Sequence, residues 1–209
     1  MIVSHEKHFV FLHVGKAAGT SITRALSPYA DPMPRDALSR ALSKLGIVLS
    51  PRRVYWPIHA SAHYVRQRLG PGAFDDMFTF AFVRNPWDLL LSAYEYIRAT
   101  PSHHRHRQVH ALGTFEAYLA YEARARRYRQ AHQLCDTQGR VLVDFVGHFE
   151  RLEQDFSQVC ERLALDHVTL PHVNATQRAP YVERYTTQAR SLVAEHWSED
   201  IERFAYTFD

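Results

Sequence analysis

Two short apolar runs, each ending in a polar loop that opens a helix, constrain this chain more than any other feature of its sequence. The first, Phe9-Val10-Phe11-Leu12-His13-Val14 within His8 to Val14, stops at Gly15, and the second, Phe78-Thr79-Phe80-Ala81-Phe82-Val83, stops at Arg84. A strand covered on both faces of a parallel sheet reads as such an unbroken run, whereas a half-exposed strand alternates. After Gly19-Thr20-Ser21 the spacing turns helical, with Ile22, Ala25 and Leu26 at i, i+3 and i+4, until Pro28 stops it. After Arg84-Asn85 the chain reads as a helix from Pro86 to about Thr100, since proline is tolerated in a first helical turn. The strand, loop and helix unit therefore occurs twice, and the pattern predicts an α/β fold, a three-layer parallel sheet flanked by helices.

The rest of the chain fills in that plan. Val141 to Val146 reads as a third strand, and three strands are few enough that a further one is expected. Helices are predicted over Ala60 to Leu69 before Gly70, from Thr114 as N-cap to about Arg129, over about Glu150 to Leu163, and over Thr187 to Phe204. Pro28 to Arg53 reads as a loop with one amphipathic stretch from Ala37 to Leu45, Ser102 to Gly113 as a His- and Arg-rich loop, and Asp166 to Tyr185 as irregular. With 209 residues, 46% of them hydrophobic, the chain is read as one domain over 1–209.

Composition narrows the partners. A net charge of +3 with fourteen histidines suits an anionic ligand without singling out nucleic acid, and no nucleic-acid partner is expected. The N-terminus lacks the charged start and apolar run of a signal peptide, and no stretch approaches the roughly 20 apolar residues of a membrane span. Cys135 and Cys160 form no CxxC pair, which fits a reducing compartment. A cytoplasmic protein is the expectation.

The two loops carry the chemistry. His13-Val14-Gly15-Lys16-Ala17-Ala18-Gly19-Thr20-Ser21 sets backbone N–H groups, a lysine and two hydroxyls where a strand feeds a helix N-terminus, the arrangement of a phosphate cradle. The plainer alternative is a strand-to-helix turn with a surface lysine. A nucleotide-triphosphatase loop needs its lysine directly after the second glycine, whereas Lys16 precedes Gly19. In the second loop Arg84 leaves a strand end and Ser92 lies two helical turns on, close enough for both to reach one phosphate. Its alternative is an Arg84–Asp88 surface pair beside a proline-started helix.

Together and in this order, the two segments resemble the 5′-phosphosulfate loop and the 3′-phosphate motif of sulfotransferases that use 3′-phosphoadenosine 5′-phosphosulfate (PAPS), in the branch of bacterial carbohydrate and heparan or chondroitin sulfotransferases. Gly15 stands where that branch usually has proline, Ala17 where it often has a hydroxyl residue, and Leu89 where it often has arginine. Weaker likeness continues through Asp144 to Glu150, Leu170 to Asn174 and Asp200 to Phe204.

The resemblance implies a P-loop-like fold of the sulfotransferase and nucleotide-kinase type, and PAPS as donor with no metal. It also implies an acceptor hydroxyl, on a carbohydrate or glycoconjugate. By the same resemblance Lys16 neutralises the leaving oxygen, and Ala17, Ala18, Gly19, Thr20 and Ser21 hold the 5′-phosphate. Arg84 and Ser92 hold the 3′-phosphate, and Thr176 and Arg178 close over the adenosine end. An acceptor hydroxyl needs a base, and His59, in Pro57-Ile58-His59-Ala60 between the two motifs, is the candidate, with a structural role in a loop that starts a helix as its alternative. Glu150 is the alternative base. It also has a sufficient structural reading as an acidic residue in a first helical turn.

His59 and His63 have zinc-like i, i+4 spacing, but Ala60 stands where a metalloprotease has its glutamate. His103, His104, His106 and His110, interleaved with Arg105 and Arg107, offer metal ligands as one reading, but are read first as a solvated basic loop near the acceptor cleft, attractive to a uronate or sulfated sugar. Two rival readings remain: a P-loop small-molecule kinase, and a non-catalytic module binding adenosine 3′,5′-bisphosphate.

Overall fold

Both apolar runs form strands of one sheet. The computed structural model describes residues 1–32, 41, 54–166, 168–171 and 179–209. In chain order the described elements begin with β1 (Ile2–Ser4), β2 (Phe9–Leu12), α1 (Gly19–Leu26), α2 (Ala62–Leu69), α3 (Pro71–Asp75) and β3 (Phe78–Val83). There follow α4 (Pro86–Ala99), α5 (His106–Ala111), α6 (Phe115–Arg124), α7 (Gln130–Leu134) and β4 (Phe145–His148). The last are α8 (Leu152–Arg162), α9 (Thr187–His196) and α10 (Ser198–Arg203). The amphipathic stretch from Ala37 to Leu45 falls almost wholly outside the described residues, and Thr176 and Arg178 lie outside them.

The chain divides into two units, Met1–Phe82 with His132–Asn174, and Val83–Ala131 with Ala175–Asp209. The first holds the four-stranded sheet, in the order β1-β2-β3-β4. β2 and β3 pair in parallel with Phe9 opposite Phe78 and Phe11 opposite Phe80. That register stacks phenylalanines on one face, with Phe11 and Phe80 centroids 5.3 Å apart. Ile22 and Leu26 of α1 and Phe156, Val159 and Cys160 of α8 pack into the same cluster. Each such fully buried side chain is worth roughly 1.5–3 kcal/mol. Gly147 of β4 leaves room for the Phe82 ring, whose Cε1 lies 2.5 Å from where a Cβ would stand. Asp144, just before β4, takes the Thr79 N–H at 2.8 Å and the Thr79 hydroxyl at 2.9 Å, fastening the strand to β3.

The second unit is helical. Asn85 caps α4 by accepting from the Trp87 N–H at 3.1 Å, with Pro86 as first helical residue. Trp87, Leu90, Tyr94 and Ile97 of α4 share a core with Tyr118 and Leu119 of α6 and with Ala189 and Val193 of α9. Thr114 and Thr186 cap α6 and α9 through their hydroxyls.

The structure corrects the sequence reading at several points. β2 and β3 are parallel as expected, and the further strand expected from the sequence is β1, which runs antiparallel to β2 at the edge and makes the sheet mixed; three residues are too few to show a period. The third strand lies at Phe145–His148, while Val141 bridges Cys135 across a turn held by the Asp136 N–H to Arg140 carbonyl bond at 2.9 Å. The His- and Arg-rich segment contains α5, and Arg105 is not solvated: it is buried against the Glu122 carboxylate. α6 stops at Arg124, and Arg126 and Tyr128 adopt left-handed backbone (φ 50° and 57°). The predicted last helix breaks at Trp197, whose buried indole donates to the Arg127 carbonyl at 3.1 Å. No helix among the described residues is long and apolar enough to cross a membrane.

Candidate active site

In the first unit the chain leaves β2 and turns sharply before α1. Lys16 and Ala18 both adopt left-handed backbone, with φ of 65° and 58°. For residues with a Cβ this costs of order 1–2 kcal/mol each, and alternation of this kind turns successive N–H groups toward one concave side. The chain then enters α1 with no side-chain cap, so the first-turn N–H groups gain no capping bond of that kind. Lys16 is half-buried, Thr20 exposed and Ser21 buried at the helix start.

The ring of His13 lies across that first turn. A Cβ on Gly19 would stand 2.7 Å from its Cγ and nearer still to Cδ2 and Nε2, so only glycine admits the ring there. Burial first, then the chain N-terminus and His59, push the His13 pKa down to about 3, and the imidazole is neutral.

His59 sits beside this ring, edge on, with centroids 4.9 Å apart. Its Nδ1 lies 3.0 Å from the His13 carbonyl oxygen. A carbonyl only accepts, so Nδ1 carries the hydrogen and the lone pair rests on Nε2. The same carbonyl receives the side-chain amide of Gln133 at 3.0 Å, which also reaches the Ala60 carbonyl at 3.3 Å. The imidazole is exposed, set in one tautomer, and adjacent to the loop that carries Lys16.

Glu150 is an exposed residue of the short 3-10 turn Phe149–Arg151 that precedes α8. His63 is exposed on α2 and bonds Gln67. His106 and His110 hydrogen-bond to the carbonyls of Ile97 and Arg98.

In the second unit Arg84 is only 8% exposed. Its Nε donates to Asp88 at 2.7 Å and its Nη1 to Ser92 at 3.2 Å, both residues lying on one face of α4. The helical spacing thus brings Arg84 and Ser92 together as the sequence suggested. The Arg84–Asp88 pair is largely buried and not a surface pair, with side chains 9% and 14% exposed. Asp88 orients the fork of donors that a guanidinium offers to an oxyanion.

The model of the sulfotransferase family matches residues 1–207. The chain belongs to that family. This sulfotransferase is also 28% identical over 109 residues to an uncharacterized protein of Archaeoglobus fulgidus, covering 50% of this chain and 82% of the other. A crystal structure of a sulfotransferase from Alicyclobacillus acidocaldarius overlaps 95% of this chain and 98% of its own, with a TM-score of 0.40 and 16% identity. Family membership sets aside the kinase reading.

Within this sulfotransferase, sequence reasoning missed four residues. His13 stood inside the first motif, and its signal was there to be used. Gln133 reaches His13 across 120 residues of sequence, and Gln130 reaches Arg84 across 46, contacts with no local signature. Asp200, beneath Gln130, appeared only as a weak family echo.

Proposed function

We propose that this sulfotransferase moves a sulfuryl group from PAPS to a hydroxyl of a carbohydrate or glycoconjugate. The observation that carries the reading is the Nδ1–H of His59 held on the His13 carbonyl beside the Lys16 loop. It leaves Nε2 as the basic nitrogen, which is what removing a proton from an alcohol requires.

The donor set suits such a ligand. Lys16, the N–H groups from Ala17 to Thr20 and the hydroxyls of Thr20 and Ser21 would hold the 5′ end. Arg84 and Ser92 would hold the 3′-phosphate, which distinguishes PAPS from other adenine nucleotides. The Lys16 ammonium neutralises charge on the oxygen that leaves, where fixed positive charge lowers the barrier most. PAPS supplies the sulfuryl group and a phosphate leaving group. Nε2 of His59 takes the acceptor proton, while the His13 carbonyl stabilises the imidazolium through the Nδ1–H bond and Gln133 keeps that carbonyl in place. With lysine and backbone donors in these roles, the reaction needs no divalent metal.

Residues 1–209 would act as one sulfotransferase domain, with Thr176 and Arg178 in the role the family resemblance gives them. Cys135 and Cys160 are both buried, and among the described residues neither is half of a disulfide, which suits the cytoplasm. The test is incubation with labelled PAPS and a panel of glycans, glycolipids and small alcohols, read by mass spectrometry for added sulfate. Sulfation of a sugar hydroxyl supports the reading. Tight bisphosphate binding with transfer to no acceptor would replace it by the non-catalytic module.

A further inference from the structure

Gln130 holds the Arg84 backbone and Asp200 holds Gln130, and the proposed chemistry uses neither. Gln130, 1% exposed, meets the Arg84 backbone at both ends: its Oε1 accepts from the Arg84 N–H at 2.8 Å, and its Nε2 donates to the Arg84 carbonyl at 2.7 Å. An amide placed this way supplies the two bonds a neighbouring strand would give, so the Arg84 backbone stays paired as the chain leaves β3. Gln130 is fixed in turn by Asp200, also 1% exposed. Its Oδ2 accepts from the Gln130 N–H and its Oδ1 from the Ala131 N–H, both at 2.8 Å.

Satisfying the opening N–H groups of a five-residue helix does not by itself call for a buried carboxylate, since an exposed Ser or Asn cap does so at lower desolvation cost. What this arrangement adds is a chain of short bonds ending at one residue. That residue's guanidinium is in turn set on Asp88 and Ser92.

We propose that Gln130 and Asp200 are positioning residues that set nucleotide specificity, holding the Arg84 backbone so that its guanidinium distinguishes a nucleotide with a 3′-phosphate from one without it. This rests on the assignment of Arg84 to the 3′-phosphate made above. Charge-assisted bonds to phosphate reach full strength only when the donor fork is already in place, because ordering a loose arginine consumes part of the gain. Loosening the Arg84 backbone therefore weakens the 3′-phosphate contact and leaves the contacts of a 5′-monophosphate untouched.

The experiment measures the affinity of adenosine 3′,5′-bisphosphate and of adenosine 5′-monophosphate, by calorimetry on the full chain, for the wild type, Gln130→Ala and Asp200→Asn. The expected result is a wild-type preference for the bisphosphate that falls about tenfold in Gln130→Ala and less in Asp200→Asn, with monophosphate affinity unchanged. A merely structural role predicts lower thermal stability and an unaltered ratio, and that outcome overturns the inference. Should Gln130→Ala fail to fold, Gln130→Glu keeps the acceptor for the Arg84 N–H but opposes an oxygen to its carbonyl, and a retained ratio there is equally fatal. A wild type with no bisphosphate preference overturns the donor reading itself, and the inference with it.

Discussion

Replacing Gly19 by alanine tests the local geometry of the loop. The added Cβ would stand 2.7 Å from Cγ of His13 and closer to Cδ2 and Nε2, where ordinary carbon contacts need about 3.5–4.0 Å. The ring must retreat by more than about 1 Å. Its neighbours oppose this, since it stacks on Phe11 at 6.2 Å and meets His59 edge on at 4.9 Å. Overpacking a fitted site costs about 1–3 kcal/mol. At about 2–4 °C per kcal/mol for a chain of this size, thermal unfolding should fall by about 2 to 12 °C.

Because the displaced ring pushes on His59, turnover should fall as well, by about 10²-fold if the base moves by 1 Å. Scanning calorimetry and a transfer assay read the two effects. The double variant Gly19→Ala with His13→Ala removes the collision and should be more stable than the two single effects summed. A Gly19→Ala variant with wild-type unfolding temperature and turnover would show that the His13 ring does not lie over the first turn of α1.

Four further outcomes follow from the same geometry. His59→Ala should keep bisphosphate affinity within about twofold and lower turnover by roughly 10²–10⁴, whereas Lys16→Ala should weaken binding and transfer together; an active His59→Ala beside an inactive, folded Glu150→Gln moves the base to the carboxylate. Chelator should leave transfer unchanged, and activity restored by zinc or magnesium after chelation would contradict the role given to Lys16. The His13 pKa lies at about 3 when folded and 6.5 when exposed, so its contribution to stability is complete above 6.5 and is lost as pH falls toward 3; urea midpoints should show this slope, and His13→Gln should flatten it. Asp200 has the opposite sign: burial, reinforced by Glu199 and opposed by the two N–H bonds and Arg129, raises its pKa to about 6. Its contribution is therefore complete below 3.8 and lost as pH rises through 6, a slope that Asp200→Asn should remove.

What could be read from the sequence was local. The β2 and β3 runs, the proline that starts α4, and the two-turn spacing that brings Ser92 to Arg84 are each decided within a few residues, and all are present. The failures have tertiary causes. The sequence implies a further strand without placing it, because Ile2, Val3 and Ser4 become β1 only by pairing with an edge that β2 offers. The last helix breaks because the Trp197 indole is buried in the helical core. The expected basic loop hides Arg105 because Glu122 lies buried beside it. At the candidate site the same division holds: the two loops announce themselves, while the amides of Gln130 and Gln133 act on residues far away in sequence, where neither period nor motif reaches.

Recognition of the donor by both its 5′ end and its 3′-phosphate can be measured by calorimetry of the wild-type protein with adenosine 3′,5′-bisphosphate, ADP and AMP. The bisphosphate should bind far more tightly, since only it offers a group to Arg84 and Ser92, and Arg84→Ala should erase most of the difference, a contact worth about 1.5–3 kcal/mol. Equal affinity for the three ligands would contradict it.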